Sequence, residues 1–223
     1  MTGVQTCALP IFKDWDKAQD KEWRIRNQAV YAAMVDHMDH AVGEIVSALK
    51  RTKQFENTLI IYFHDNGACG EHLHGNGWNT ANNIIAKAKK EGKTVAIGDK
   101  VEVPMGGPLT YGSIGHSWAH SQNTPMRRYK SNVHNGGACT PAIMHWPAGL
   151  MTKAGSITKE RGHVIDMMAT CLELAGAEYP VDFKGKKIAP HESLSLVPII
   201  KGKGNSREHA YLFNHLRSEE HPS

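Results

Sequence analysis

The sequence is poor in cysteine, in long apolar runs and in charge of one sign. None of its four cysteines stands in a C-x-x-C spacing, so neither a zinc ribbon nor a disulfide scaffold is indicated. Apolar runs such as residues 59–63 are far short of the roughly 20 residues that a membrane-spanning helix needs. The net charge is +4 and the basic residues form no stripe, which argues against a nucleic-acid-binding protein.

What is present is the composition of a globular protein. Of the 223 residues, 40% are hydrophobic and 22% are charged, and this length allows one sizeable core. The two ends are different. Residues 1–12 and 216–223 match no element pattern and resemble translated sequencing adapter, so we expect native sequence from about Lys13 to about His215.

The first half of the chain predicts a helix followed by a strand. Residues 20–50 carry apolar side chains at three- and four-residue steps, which is typical of an amphipathic helix. These are Val30, Met34, Met38, Val42, Ile45 and Leu49. Residues 58–63 then predict a buried strand that ends at the polar turn 64–67. Helix, loop, strand and polar turn together indicate an α/β protein, in which sites gather at the carboxyl ends of strands.

The second half gives weaker signals. No periodicity lasts between residues 70 and 122, although residues 82–91 favour a short helix that Gly92 ends. Residues 140–146 predict a second buried strand, and residues 210–213 the start of another. Residues 163–175 predict a helix with Asp166 as N-cap and Gly176 as its stop. Its inward face would hold Met168, Cys171, Leu172 and Ala175.

Asp65 and Asn66 are the first candidate site. They follow the predicted strand directly, and a carboxylate beside an amide oxygen suits a hard cation such as Ca²⁺ or Mg²⁺. Two oxygens cannot saturate such an ion, so further ligands would have to come from elsewhere. The same three residues, Asp-Asn-Gly, also form a favourable turn without any metal.

Three other groups of residues invite a chemical interpretation. The basic segment 123–130, followed by Gly136 and Gly137, could hold an oxyanion, or it could be a solvated loop. His64, His72 and His74 could bind a transition metal, but no further ligand pattern completes the set, which favours solvated or pocket-lining histidines. Cys139 begins a C-x-P sequence that lacks the following Arg, so we expect a core thiol rather than a nucleophile.

Taken in order, many short segments resemble one family, the type I sulfatases of the arylsulfatase kind. The similarity covers nearly everything between the two suspect ends. The segments are residues 31–35, Asp39, 42–43, 57–61, 65–67, 118–119, 123–125, 127–130, His134, 136–137, 140–141, 145–149, 163–168, 172–177, 193–194, Pro198 and Arg207 onward.

The resemblance implies an alkaline-phosphatase-like α/β/α sandwich around a mostly parallel sheet. It implies a Ca²⁺ site, with Mg²⁺ as an alternative, to which Asp65 and Asn66 contribute. Lys130 takes the position of the family's active-site lysine, which binds the sulfate oxygens and stabilises charge on the leaving group, and His134 is a weaker pocket candidate. The family's nucleophile is a formylglycine hydrate made from a [CS]-x-P-x-R motif, and no such motif occurs in this chain.

The resemblance also predicts how the chain is organised. Residues 1–12 would be a non-native leader, 13–205 the later half of a catalytic domain, 206–215 the start of a C-terminal subdomain, and 216–223 a non-native tail. The N-terminal half, with the nucleophile and the first metal ligands, would be missing, and the fragment alone would be inactive. Two positions depart from the family: Asn135 replaces a common Glu, and Ala169 a common Pro.

The implied function is hydrolysis of a sulfated small molecule or a sulfated glycan. Two alternatives stay open: a phosphoesterase or phosphonate hydrolase of the same superfamily, and a non-catalytic protein that kept the fold. No nucleic-acid partner and no membrane span are expected, and the resemblance implies a periplasmic or secreted protein.

Overall fold

The computed structural model describes residues 15–70, 79–97, 101 and 105–204. This described part divides into two compact units. Residues 15–42 and 66–139, with the gaps just given, belong to the first unit, and residues 43–65 and 140–204 belong to the second. The predictions made for residues 1–12, 206–223, His72 and His74 lie outside the described residues.

The described residues form six α-helices and six short strands. The helices are α1 (Lys21–Arg51), α2 (Asn79–Lys90), α3 (Gly115–Gln122), α4 (Asn135–Ala138), α5 (Asp166–Ala175) and α6 (Val197–Ile200). The strands are β1 (Ile60–Phe63), β2 (Ala96–Ile97), β3 (Thr110–Tyr111), β4 (Ala142–His145), β5 (Asp182–Phe183) and β6 (Lys186–Lys187). Of the helices described, none is both long and apolar enough to cross a bilayer.

The strands pair two by two. β1 and β4 are antiparallel, with Ile60 opposite His145 and Phe63 opposite Ala142. β2 and β3 are parallel, and β5 and β6 form an antiparallel hairpin. The mixed α/β character is therefore confirmed. The sandwich around a mostly parallel sheet stays a prediction, because the described residues form only these two-stranded sheets.

The long helix α1 confirms the helix predicted from the three- and four-residue spacing. Its apolar stripe is only partly covered: Val42 is half-buried, whereas Met34 and Ile45 are more than 60% exposed. The buried residue of α1 is instead the polar Asn27. Its Nδ2 donates a hydrogen bond to the carbonyl oxygen of Ser113 at 2.5 Å. In the described part of the chain, α1 is anchored by polar contacts.

Both glycine stops are confirmed. Gly92 follows α2 and Gly176 follows α5, with φ of +67° and +62°, the left-handed conformation in which glycine meets little steric cost. The predicted N-cap is wrong by one position, because Ile165 takes that place and Asp166 is the first helical residue.

The predicted inward face of α5 is also wrong. Met168 is 50% exposed and Cys171 is exposed, whereas Asp166, Ala169 and Thr170 are buried. The buried face is therefore partly polar. Counting apolar residues could not locate it, because Asp166 and Thr170 are buried by the hydrogen bonds that they make.

Those hydrogen bonds join α5 to the segment that leads into α6. The Asp166 carboxylate accepts the backbone N–H groups of His163 at 2.8 Å and Leu194 at 2.9 Å. The Thr170 hydroxyl donates to the carbonyl oxygen of Asp166 at 2.7 Å and accepts the N–H of Leu196 at 2.9 Å. Two side chains of one helix thus fix residues 194–196 in the second unit.

The second predicted strand exists but is not buried. Three of the four β4 residues are exposed, and Ile143 is 64% exposed, because β1 is the only strand paired with β4 among the described residues. Cys139, predicted as a core thiol, is likewise exposed. It lies between α4 and β4, and its Sγ is 3.9 Å from Oδ1 of Asn135.

Helix α3 forms within the stretch that showed no lasting periodicity. Two side chains tie it to α1 in the first unit. The indole Nε1 of Trp118 donates to the carbonyl oxygen of Arg24 at 3.1 Å, and Nε2 of Gln122 donates to Oε1 of Gln28 at 3.0 Å. Because α3 is held by hydrogen bonds rather than by an apolar stripe, the spacing of apolar residues did not predict it.

We predict that Thr170→Val lowers the free energy of unfolding by about 2 kcal/mol, because it leaves the buried N–H of Leu196 without an acceptor. Urea unfolding followed by circular dichroism measures the change. Thr158→Val is the matched control: the Thr158 hydroxyl accepts the N–H of Glu160 at the surface, and exposed substitutions usually stay within about 0.5 kcal/mol. Equal urea midpoints for Thr170→Val and the original protein would show that this bond is not needed.

Candidate functional site

The candidate metal ligands lie where β1 ends. Asp65 is exposed and Asn66 is half-buried in a bend that covers residues 65–67. Neither side chain has a hydrogen-bond partner among the described residues, so the carboxylate oxygens of Asp65 and the amide oxygen of Asn66 are available. A carboxylate and an amide oxygen are hard donors of the kind that Ca²⁺ accepts, and a Ca²⁺ ion takes six to eight such ligands. The donors therefore fit the ion, as two members of a larger set.

The predicted site residues fall into different units. Asn66, Lys130 and His134 belong to the first unit, and Asp65 closes a segment of the second. Across the described residues, no three His, Cys, Asp or Glu side chains form a metal-binding group. His64, from the histidine hypothesis, is paired instead with the Tyr62 hydroxyl, which lies 3.1 Å from its Nε2.

The loop after β1 contacts the loop that carries Lys130 through backbone groups. The N–H of Gly67 donates to the carbonyl oxygen of Gly137 at 3.0 Å, and the N–H of Lys130 donates to the carbonyl oxygen of Ala68 at 3.1 Å. Both bonds lie within the first unit. They bring the backbone of Lys130 next to a residue only two positions after Asn66.

Three glycines make this contact possible. A Cβ atom at Gly67 would overlap the carbonyl oxygen of Gly136. One at Gly136 would overlap the carbonyl oxygen of Arg128, and one at Gly137 that of Asn132. All three glycines are buried. At Gly67 the missing side chain is therefore a steric requirement of the contact between the two loops. At Gly136 and Gly137 it is a requirement of the backbone path of the Lys130 loop itself.

The Gly136-Gly137 pair does not offer its amides to an anion. The N–H of Gly136 donates to the carbonyl oxygen of Arg127 at 2.8 Å, and that of Gly137 to the carbonyl oxygen of His134 at 2.7 Å. The hypothesis of an oxyanion held by this turn thus loses its backbone donors. The basic side chains remain: residues 123–137 contain Arg127, Arg128 and Lys130 and no acidic residue.

Lys130 is half-buried in an unusual stretch of backbone. Arg128 and Ser131 have φ of +72° and +69°, a left-handed conformation that costs a residue with a side chain about 1 kcal/mol or more. Tyr129, between Arg128 and Lys130, is buried and stacks on the ring of His116, with centroids 4.9 Å apart. A conformation of this cost persists only where its surroundings hold it.

The sequence did not reveal which side chains stabilise this backbone conformation. The carboxamide of Asn123 accepts the N–H of Ala68 at 3.1 Å and donates to the carbonyl oxygen of Arg128 at 3.0 Å. Nδ1 of His120 accepts the N–H of Arg128 at 3.2 Å. Asn132 Nδ2 donates to the carbonyl oxygen of Tyr129 at 3.0 Å. An Asn before Thr-Pro is a turn signal, and that signal could have identified Asn123.

His134 is exposed and is the N-cap residue of α4. Its carbonyl oxygen accepts the N–H of Ala138 at 3.0 Å as well as that of Gly137, so its backbone is fixed. Its imidazole has no partner within the described ranges. Nε of Arg128 is a buried donor that also lacks a partner among the described residues, and it lies two positions before Lys130.

Comparison with known proteins gives one family. A sulfatase family model matches residues 10–177. An uncharacterized sulfatase of Schizosaccharomyces pombe is 31% identical over 179 residues, which cover 79% of this chain and 30% of that protein. The arylsulfatase of Klebsiella aerogenes is 27% identical, with 89% of this chain and 40% of that protein covered. The human steryl-sulfatase is 26% identical, with 85% and 24% covered.

The chain thus spans between about a quarter and two fifths of the length of these relatives. The matched region includes the loop after β1 and the loop that carries Lys130 and His134.

We predict that Gly136→Ala destabilises the protein by about 2 kcal/mol or more, because the new methyl group would overlap the carbonyl oxygens of Arg127 and Arg128. Thermal unfolding measures the change. Gly43→Ala is the matched control: nothing lies within 4 Å of a Cβ at Gly43 inside α1, so this variant should gain about 1 kcal/mol from helix propensity. If both variants unfold at the same temperature, close approach of the Gly136 backbone to residues 127–128 is not what the glycine provides.

Proposed function

Since the chain belongs to the sulfatase family, we propose that the full-length protein hydrolyses sulfate esters to an alcohol and inorganic sulfate. The observation that carries this proposal is the bond from the N–H of Lys130 to the carbonyl oxygen of Ala68. It brings the loop of a cationic side chain against the loop of a calcium-type oxygen donor, Asn66, inside the region that matches the family.

Lys130 would act on the charge of the reaction. A sulfate ester is an anion, and breaking its S–O bond places further negative charge on the leaving oxygen. An ammonium group stabilises that charge where it develops, which lowers the barrier. His134, exposed at the start of α4, is a second and weaker candidate for contact with the substrate.

Asp65 and Asn66 would hold the metal ion together with ligands from outside these 223 residues. When bound, Ca²⁺ supplies positive charge to a sulfate oxygen, and Mg²⁺ is the alternative ion. The nucleophile, a formylglycine, would also come from outside these residues, since no [CS]-x-P-x-R motif occurs here. On this proposal the chain carries the later half of the catalytic domain and is inactive alone.

The substrate would be a sulfated small molecule or a sulfated glycan. The similarity to proteins named steryl-sulfatase and N-acetylgalactosamine-6-sulfatase supports this class. The protein would work in the periplasm or outside the cell.

In the full-length protein, we predict that Lys130→Ala lowers kcat for 4-nitrophenyl sulfate by about 100-fold or more, as for loss of a charge-stabilising donor. Lys153→Ala, which changes an exposed lysine of the second unit, should leave kcat unchanged. Faster turnover of 4-nitrophenyl phosphate than of the sulfate would identify a phosphoesterase instead. If neither substrate is turned over, the protein is non-catalytic. If the 223-residue chain alone turns over the sulfate, the proposal that its nucleophile lies outside these residues is wrong.

We predict that Asp65→Asn weakens Ca²⁺ binding by the full-length protein about tenfold or more, because one ligand loses its charge. Isothermal titration calorimetry on the metal-free protein measures the affinity directly. Asp36→Asn removes another exposed carboxylate, from α1, and should bind Ca²⁺ as the original protein does. The same affinity in both variants would remove Asp65 from the ligand set.

A further inference from the structure

The carboxamide of Asn123 joins the two loops of the candidate site. Its Oδ1 accepts the N–H of Ala68, and its Nδ2 donates to the carbonyl oxygen of Arg128. One side chain therefore touches both the loop that follows Asn66 and the loop that leads to Lys130. All of these groups lie in the first unit.

These bonds close a ring. From Asn123 the ring runs to Ala68, whose carbonyl oxygen accepts the N–H of Lys130. It then returns along the backbone through Tyr129 to Arg128, and back to Nδ2 of Asn123. The ring restrains the Lys130 backbone from two sides, at the N–H of Lys130 and at the carbonyl oxygen of Arg128.

The ring has a fixed base. Asn123 is the C-cap residue of α3, and its own N–H bonds to the last turn of that helix. His120, also in α3, accepts the N–H of Arg128. Both peptide groups of Arg128 are thus held by side chains from one helix end, and this is the residue whose φ is +72°.

The chemistry of the position calls for asparagine. A carboxamide offers an acceptor and a donor on one rigid plane, and both are used here. Aspartate keeps the acceptor but loses the donor, and alanine loses both. Space is also limited, since Nδ2 lies 3.1 Å from the point where a Cβ at Gly67 would stand.

We propose that Asn123 is a positioning residue for Lys130: it fixes the distance between the Lys130 loop and the loop after Asn66. This rests on the proposed function for the role of Lys130 itself. Asn123 does not contact the substrate. It acts by holding the backbone from which the ammonium group reaches the sulfate.

Amide hydrogen exchange of the 223-residue chain, resolved by NMR, tests the ring directly. In Asn123→Ala the amides of Ala68 and Lys130 should exchange at least about fivefold faster, the effect of one lost hydrogen bond. In Asn123→Asp the Ala68 amide should keep its protection, because the acceptor remains, and the Lys130 amide should lose it. Amides of α1 report global stability, and their exchange rates should not change in Asn123→Asp. If Asn123→Ala does not fold, Asn123→Asp alone decides the test.

Gln122→Ala is the matched control. It removes a side-chain hydrogen bond one residue away, from Gln122 to Gln28, without touching either loop. Both reporter amides should keep their exchange rates in this variant. Unchanged rates at Ala68 and Lys130 in both Asn123 variants would overturn the proposal, and so would equal acceleration in Gln122→Ala.

A second measurement asks whether the ammonium group moves with the ring. In the full-length protein, lysine amines labelled by ¹³C reductive methylation are titrated with inorganic sulfate, and Lys130→Arg identifies the Lys130 signal. In both Asn123 variants half-saturation of that signal should need about fivefold more sulfate, and in Gln122→Ala it should not change. A half-saturation in the variants equal to that of the original chain would overturn positioning.

The two proposals fail in different ways. If the Lys130 signal of the original full-length protein does not respond to sulfate, the proposed role of Lys130 fails, and the exchange rates alone then decide whether Asn123 holds the loop. If sulfate binds Lys130 equally well in all variants, the role of Lys130 survives and Asn123 is not its positioning residue.

Discussion

Backbone contact between two loops is the constraint on which the candidate site depends. Gly67, Gly136 and Gly137 are buried where a Cβ atom would overlap a backbone carbonyl oxygen. For Gly67 this oxygen belongs to the other loop, and for Gly136 and Gly137 it belongs to the Lys130 loop itself. Only because these side chains are absent can the N–H groups of Gly67 and Lys130 reach their acceptors. The position of the lysine is thus set by what three neighbouring residues lack.

Support for that contact runs back to the long first helix. The indole of Trp118 anchors α3 on α1 through a hydrogen bond. The end of α3 then presents His120 and Asn123 to the Lys130 loop. Each step in this series is a polar contact within the first unit. The second unit uses the same device, since Asp166 and Thr170 of α5 hold residues 194–196 by hydrogen bonds.

The sequence was sufficient for the features that depend on local pattern. The spacing of apolar residues predicted α1, and the glycines predicted the ends of α2 and α5. The short segments 58–63 and 140–146 predicted β1 and β4. Burial was predicted poorly, because the residues that pack are often polar. Thr170 is fully buried whereas Met168 is half exposed. Only the hydrogen bonds of the folded chain explain why the polar side chain is the more buried of the two.

The candidate site divides along the same line. Asp65, Asn66 and Lys130 could be selected because their chemistry and their resemblance to a family are visible in the residues themselves. Asn123 lay within the candidate segment 123–130, but its role and that of His120 could not be predicted, because that role lies in bonds to backbone groups of residues 68 and 128. Sequence separation hides such bonds, which come into existence only when the chain has folded.

A loop held by its backbone is free to vary at its surface. Arg127, Val133 and His134 are exposed, and Val133 is 59% exposed, while the bonds that fix this loop run through carbonyl and amide groups that every such residue possesses. Exchange of these side chains during evolution would therefore alter the charge and shape presented to a substrate without moving the lysine. Under the proposed function, the backbone of this loop is the constrained part. Its exposed side chains are the part that can differ from one sulfate ester to another.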